Sequence, residues 1–130
     1  MKYILMMHAG KGPYQLWSWA KKDLEAHLAY WKDLNRDLKA AGEFVQVDAL
    51  VAPDPPVVVR AAGNGVPQTD GIFPESKEFL AGFWIIDVES RERAHAIAAR
   101  ASAAPGPNGV PLNMPIEVRQ VMSGPPDEMP

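Results

Sequence analysis

The stretch QTDGIFPESKEFLAGFWIIDVES, residues 68–90, decides how the rest of the chain is read. Its second half, GFWIIDV (82–88), is a strand by its aromatic and β-branched content. Phe83 and Ile85 point one way, and Trp84, Ile86 and Val88 point the other. Both faces are apolar, so this strand belongs inside a sheet that is covered on both sides. Ser90 then stands where a helix needs an N-cap, with Ala94, Ile97, Ala98 and Ala101 on the inward face of that second helix. The first half poses a different question. An Asp70-Gly71 pair is a favoured turn, because aspartate bonds its own backbone and glycine takes positive φ. Glu75, Lys77 and Glu78 then crowd the start of an apolar strand, where they form either a solvated loop or part of a site.

Working outward, YILMM (3–7) is a second strand with apolar residues on both faces. From about Ser18 to Ala41 the pattern is helical: Trp17, Ala20, Leu24, Leu28, Trp31, Leu34 and Leu38 fall in one stripe, and Gly42 ends it. EFVQVDALV (43–51) alternates, with Val45, Val47, Ala49 and Val51 on one face. VVVR (57–60) and VPQT (66–69) flank a glycine-rich turn and pair as a short hairpin. A proline- and glycine-rich loop leads from the second helix to a last strand, IEVRQVM (116–122). Residues 1–122 are thus read as one domain and 123–130 as a loose tail. The order β-α-β-β-(β)-β-α-β suits an α+β, ferredoxin-like antiparallel sheet with two helices on one face. Two helices cover one face only. The apolar second face of strands 3–7 and 82–88 would be a larger patch than a monomer tolerates, so a homodimer is expected.

Bulk properties narrow the function. A chain of 130 residues with 47% apolar and 22% charged residues buries a real core. The net charge of −3 and the lack of a basic block argue against nucleic acid. With no cysteine, thiol chemistry and Cys-ligated metals are excluded. The apolar run at the start is too short for a signal core or a membrane span, so a soluble cytoplasmic protein is expected, with no membrane partner. No metal spacing, P-loop or nucleophile elbow is present, and neither metal nor cofactor is expected.

Among three histidines, His95 lies off the apolar face of the second helix, and His8 ends the first strand. His27 falls inside the apolar stripe of the first helix, between Leu24 and Trp31. A core-facing imidazole needs a partner, since leaving it unpaired costs about 1–3 kcal/mol. Two readings stay open: a core histidine satisfied by hydrogen bonding, or an imidazole facing an internal pocket and tuned by a carboxylate. Asn35 shares the stripe but lies two turns away, about 12 Å along the axis. Glu117 and Arg119 share one face of the last strand, opposite Ile116 and Val118.

DGIFPESKEFLAGFWIIDVES, AHAIAAR, IEVRQVM, the opening KYILMMH and LKAAGEFVQVDAL together resemble the YCII-related family. Within it they resemble the subgroup named for an Asp-Gly-Pro-Phe signature followed by Glu-x-Lys-Glu. Asp70, Gly71, Phe73, Glu75, Lys77 and Glu78 match the signature, and Ile72 stands where it has proline. The resemblance implies a ferredoxin-like fold that dimerises as a dimeric α/β barrel, with a cleft between helices and sheet. It also implies a His–Asp pair suggested to be catalytic, carried here to His27 and Asp70. His8, Trp31, Phe73, Trp84 and Arg119 are the expected lining of a substrate site, and the tryptophans suit a small cyclic or aromatic metabolite. The function implied is a cofactor-independent lyase, isomerase or hydrolase-type activity. The alternative is a non-catalytic dimeric ligand-binding or regulatory protein, since members often accompany sigma-factor genes.

Overall fold

A computed structural model describes residues 1–10, 16–50, 57–70 and 78–122. The elements run β1 (Lys2–Gly10), α1 (Lys21–Ala40), β2 (Phe44–Ala49), β3 (Val58–Ala61), β4 (Pro67–Asp70), β5 (Glu78–Asp87), α2 (Arg91–Ser102) and β6 (Ile116–Gln120). The main sheet has the order β2-β5-β1-β6 and every pairing in it is antiparallel. With the separate β3–β4 hairpin set aside, this is the ferredoxin-like βαββαβ arrangement. The hairpin pairs Val58 with Asp70 and Ala61 with Pro67, as the glycine-rich turn predicts.

Both helices obey their sequence signals. Ser90 caps α2 by accepting the backbone N–H of Arg93 on its Oγ, at 3.1 Å. Ala94, Ile97, Ala98 and Ala101 are all buried. At the end of α1, Glu43 N–H reaches the Leu38 carbonyl (2.9 Å) and Gly42 N–H reaches that of Lys39 (3.1 Å). This Schellman pattern requires the positive φ of 71° that Gly42 adopts. The helix itself starts later than the stripe suggests. A short 3-10 turn, Leu16–Ser18, precedes it, and His27, Leu34 and Leu38 are the residues it buries. Leu28 is 43% exposed and so lies outside the core stripe.

The core lies between the helices and one face of the sheet. Tyr3 and Leu5 of β1 and Trp84, Ile86 and Val88 of β5 meet Leu34, Leu38, Ala94, Ile97, Ala98 and Ala101. Strand β2 departs from the simple alternation read in its sequence. Its register with β5 slips between Phe44 and Gln46, so Phe44 and Val47 pack on the core and Val45 turns outward, 42% exposed. One extra residue in a strand reverses the faces beyond it, and a period-2 pattern alone cannot place that slip.

Glu43, just before β2, is clamped to Arg93 in the first turn of α2 by two hydrogen bonds of 2.9 and 2.8 Å. The guanidinium holds the Glu43 carboxyl below the usual carboxylate range, against the opposing effect of burial. Because the folded value is depressed, the stabilisation is full above the unfolded value of about 4.3 and is lost as pH falls through the folded value. Glu43→Gln is expected to cost about 1 kcal/mol at pH 7, with the deficit closing near pH 3. Urea unfolding at the two pH values checks this.

Candidate functional site

His27 sits one-third of the way along α1 and is fully buried. Its Nδ1 lies 2.9 Å from the Pro105 carbonyl oxygen. A carbonyl only accepts, so Nδ1 carries the hydrogen and donates it. The ring makes T-shaped contacts with two indoles, with centroids 5.1 Å from Trp19 and 4.1 Å from Trp31. Trp31 continues the stack to Trp84 at 5.3 Å, again edge to face. The indole N–H of Trp84 donates to Asn35 Oδ1 at 2.9 Å, which explains the asparagine in an apolar stripe. Burial holds the His27 imidazole below the ordinary histidine range, while the Pro105 carbonyl, which favours the protonated ring, opposes it.

The loop after α2 delivers that carbonyl. Pro105 and Pro111 form an isolated antiparallel bridge, and Gly106 N–H closes on the Val110 carbonyl at 2.7 Å. Leu112 N–H returns to the Ala104 carbonyl, and the Ser102 hydroxyl to that of Met114. Ala104 and Met114 are buried, which ties the loop to the body. A Cβ at Gly106 would lie 2.7 Å from Leu112 Cδ2, so glycine lets the loop fold this tightly.

The residues expected to share one site divide between two faces. His27, Trp31 and Trp84 come together beneath the helices. His8 and Arg119 lie on the opposite, helix-free face. Arg119 pairs across the sheet with Ile4, and His8 Nε2 lies 3.2 Å from Glu117 Oε2. They are therefore corrected out of the His27 site: in a pleated strand Arg119 alternates with Val118, which packs on the core, and a sheet separates the two sets. His95 is exposed, as its place on α2 predicts. Asp70 ends β4 opposite Val58, but its side chain and Phe73 lie outside the described residues. The rest of the signature through Lys77, the stripe position of Trp17 and the tail 123–130 lie outside them too.

Two participants leave little trace in the sequence. Trp19 precedes the helix proper, so a helical wheel does not assign it to the imidazole. Pro105 acts through a backbone carbonyl, which has no side-chain signature; a proline-glycine loop after α2 is the only hint. Among the described residues there is no group of three or more acidic or histidine side chains suited to a metal. Likewise no described helix is long and apolar enough to cross a membrane.

The fold and site together define a class: an α+β chain with a ferredoxin-like sheet whose first helix buries a histidine against the loop leaving the second. The chain belongs to the YCII-related domain family, whose model matches residues 1–110. The match ends before β6, yet Ile116 and Val118 of that strand still pack against the same core. Comparison with curated proteins returns no match.

Proposed function

We propose that this protein is a cofactor-independent acid–base enzyme for a small cyclic or aromatic metabolite, with His27 as the proton-carrying group and Asp70 as its carboxylate partner. The observation that carries the reading is a fully buried imidazole held between Trp19 and Trp31, with its ionisation pushed off the ordinary value. Perturbed histidines among aromatic rings suit proton transfer to a flat apolar ligand. Asp70 closes a strand in the family's signature segment, and the match of Asp70, Gly71, Phe73, Glu75, Lys77 and Glu78 supports placement in the Asp-Gly-Pro-Phe subgroup.

A second reading is favoured by the same hydrogen bond: a histidine satisfied by Pro105 serves a non-catalytic ligand-binding or regulatory protein equally well. Turnover in a panel of small cyclic substrates, compared in wild type and His27→Asn, separates the two. An enzyme loses turnover and keeps binding; a binding protein has no turnover to lose, and the variant changes affinity alone.

The working unit is a homodimer in which the helix-free faces meet as in a dimeric α/β barrel. Support comes from the row order on that face. Asp48, Phe83, Met6 and Glu117 share one row, and Gln46, Ile85, Ile4 and Arg119 the next. A two-fold axis crossing the strands between these rows sets Glu117 of each copy over Arg119 of the other, with the four apolar residues stacked at the centre. An axis along the strands would set Asp48 over Glu117, like against like. Phe83→Lys is expected to convert the dimer to monomer in sedimentation equilibrium without unfolding it. A wild type that sediments as a monomer at 100 μM, taken as roughly a millimolar-Kd test, would contradict the dimer.

A further inference from the structure

We propose that Asn64 is a site of spontaneous deamidation, with water as the co-reactant, and that the fold protects Asn108 from the same reaction. The chain holds two Asn-Gly pairs, 64–65 and 108–109, and all four residues are exposed. Sequence and exposure therefore rank the two pairs alike. Hydrogen bonding and backbone geometry separate them.

In this reaction the backbone nitrogen of the following residue attacks the asparagine Cγ. A new N–Cγ bond forms, that nitrogen gives up its proton, and the Cγ–NH2 bond breaks with ammonia as the leaving group. Water then opens the cyclic imide at either carbonyl, giving aspartate or isoaspartate, in which the main chain runs through Cβ. A glycine in the second position, having no Cβ, leaves its nitrogen open to approach. At 108–109 that nitrogen is engaged. Gly109 N–H donates to the Gly106 carbonyl at 3.0 Å, inside the loop that Gly106 N–H closes on Val110 at 2.7 Å. Ring closure also needs the nitrogen on the same side of the Cα–C bond as Cβ. Asn108 has φ 61° and ψ 20°, which turns the Gly109 nitrogen to the opposite side. Reaction there requires the loop to open, and Leu112 and Met114 tie that loop to the body.

At 64–65 the same criteria point the other way. No hydrogen bond holds Gly65 N–H among the described residues. The Asn64 side chain is folded forward over the turn, its Oδ1 accepting Val66 N–H at 3.0 Å. That donor polarises the Cγ carbonyl and is in place for the oxyanion that attack creates. The turn belongs to the β3–β4 hairpin, outside the main sheet, and Gly63 and Gly65 flank Asn64 at positive φ of 80° and 79°. It can therefore change shape without disturbing the core. Each event replaces a neutral amide with a carboxylate and takes the chain one unit below its net charge of −3.

The test is incubation of the full chain at pH 8 and 37 °C, folded and in concentrated urea, with tryptic mass spectrometry of samples taken over time. Cleavage after Arg60, Lys77, Arg100 and Arg119 puts the two pairs in separate peptides, 61–77 and 101–119. A gain of one mass unit marks deamidation, and fragmentation assigns it to a residue. The Asp70-Gly71 pair in the first peptide does not interfere, since aspartate isomerises with no change of mass. In the folded protein Asn64 is expected to convert several-fold faster than Asn108, and in urea, where the loop is gone, the gap is expected to close. Equal rates in the folded protein, or faster conversion at Asn108, overturn the proposal. A gap of the same size in urea overturns it as well, because the order then belongs to the local sequence and not to the fold.

Discussion

Trp84→Ala is expected to destabilise the protein by about 3–5 kcal/mol, the cost of emptying a large aromatic site in a close-packed core. Trp84 is 2% exposed at the middle of β5, with Leu5 of β1 and Val47 of β2 as its cross-strand neighbours. Its ring also supports Trp31, and its indole N–H satisfies Asn35. Removing it opens a cavity beneath α1 and leaves the half-buried Asn35 oxygen without that donor. Trp84→Phe separates the two contributions. It keeps most of the ring and loses the hydrogen bond, so a smaller cost of about 1–2 kcal/mol is expected. Urea unfolding of the three proteins gives the comparison; unchanged slopes with shifted midpoints assign the loss to the native state.

The second large effect is expected at His27. His27→Ala removes the donor to a carbonyl in a tightly closed loop and opens a space between two indoles. An unpaired buried acceptor and a small cavity together cost about 2–4 kcal/mol near neutral pH. The size of the deficit depends on pH, and its sign comes from the depressed value of the folded imidazole. The neutral-ring contribution is full above the unfolded value of about 6.5 and is lost as pH falls through the folded value. Wild type therefore loses stability on acidification through this window, and His27→Ala lacks that part of the loss. Urea midpoints at pH 7.5 and 5 are expected to draw closer between the two proteins. A gap that is constant or widens contradicts the buried neutral ring.

Much of this architecture is legible in the sequence because local and global signals agree. Ser90 before an alanine-rich apolar stripe marks α2, and Gly42 closes α1 where a left-handed residue is needed. Two-sided apolar strands place β1 and β5 at the centre of the sheet, where strand order confirms them. The failures share a cause: they depend on register. Val45 turns outward because β2 slips by one residue against β5, and nothing in EFVQV marks the slip. Arg119 and Trp84 part company because β6 shows its charged face away from α1 and α2. That face is readable from Ile116 and Val118, but joining it to the face of Trp84 requires the pairing of Leu5 with both Trp84 and Val118.

The site is half legible on the same terms. His27 in an apolar stripe points to a buried, partnered imidazole, and Trp31 one turn on points to its neighbour. Pro105 cannot be found that way, since its contribution is a main-chain oxygen brought from 78 residues away. Asp70 enters the proposal through the resemblance of its segment to the Asp-Gly-Pro-Phe signature, since its side chain lies outside the described residues.

The measurement that bears most directly on the functional account is the pKa of His27 by NMR titration in wild type and in Asp70→Asn. The account predicts a wild-type value below about 6.5, since burial opposes the charge, and a further fall in Asp70→Asn, since the carboxylate that steadies the imidazolium is gone. An ordinary value, or one indifferent to Asp70, would contradict the His27–Asp70 pair and leave the histidine as a structural tie between α1 and the Pro105 loop.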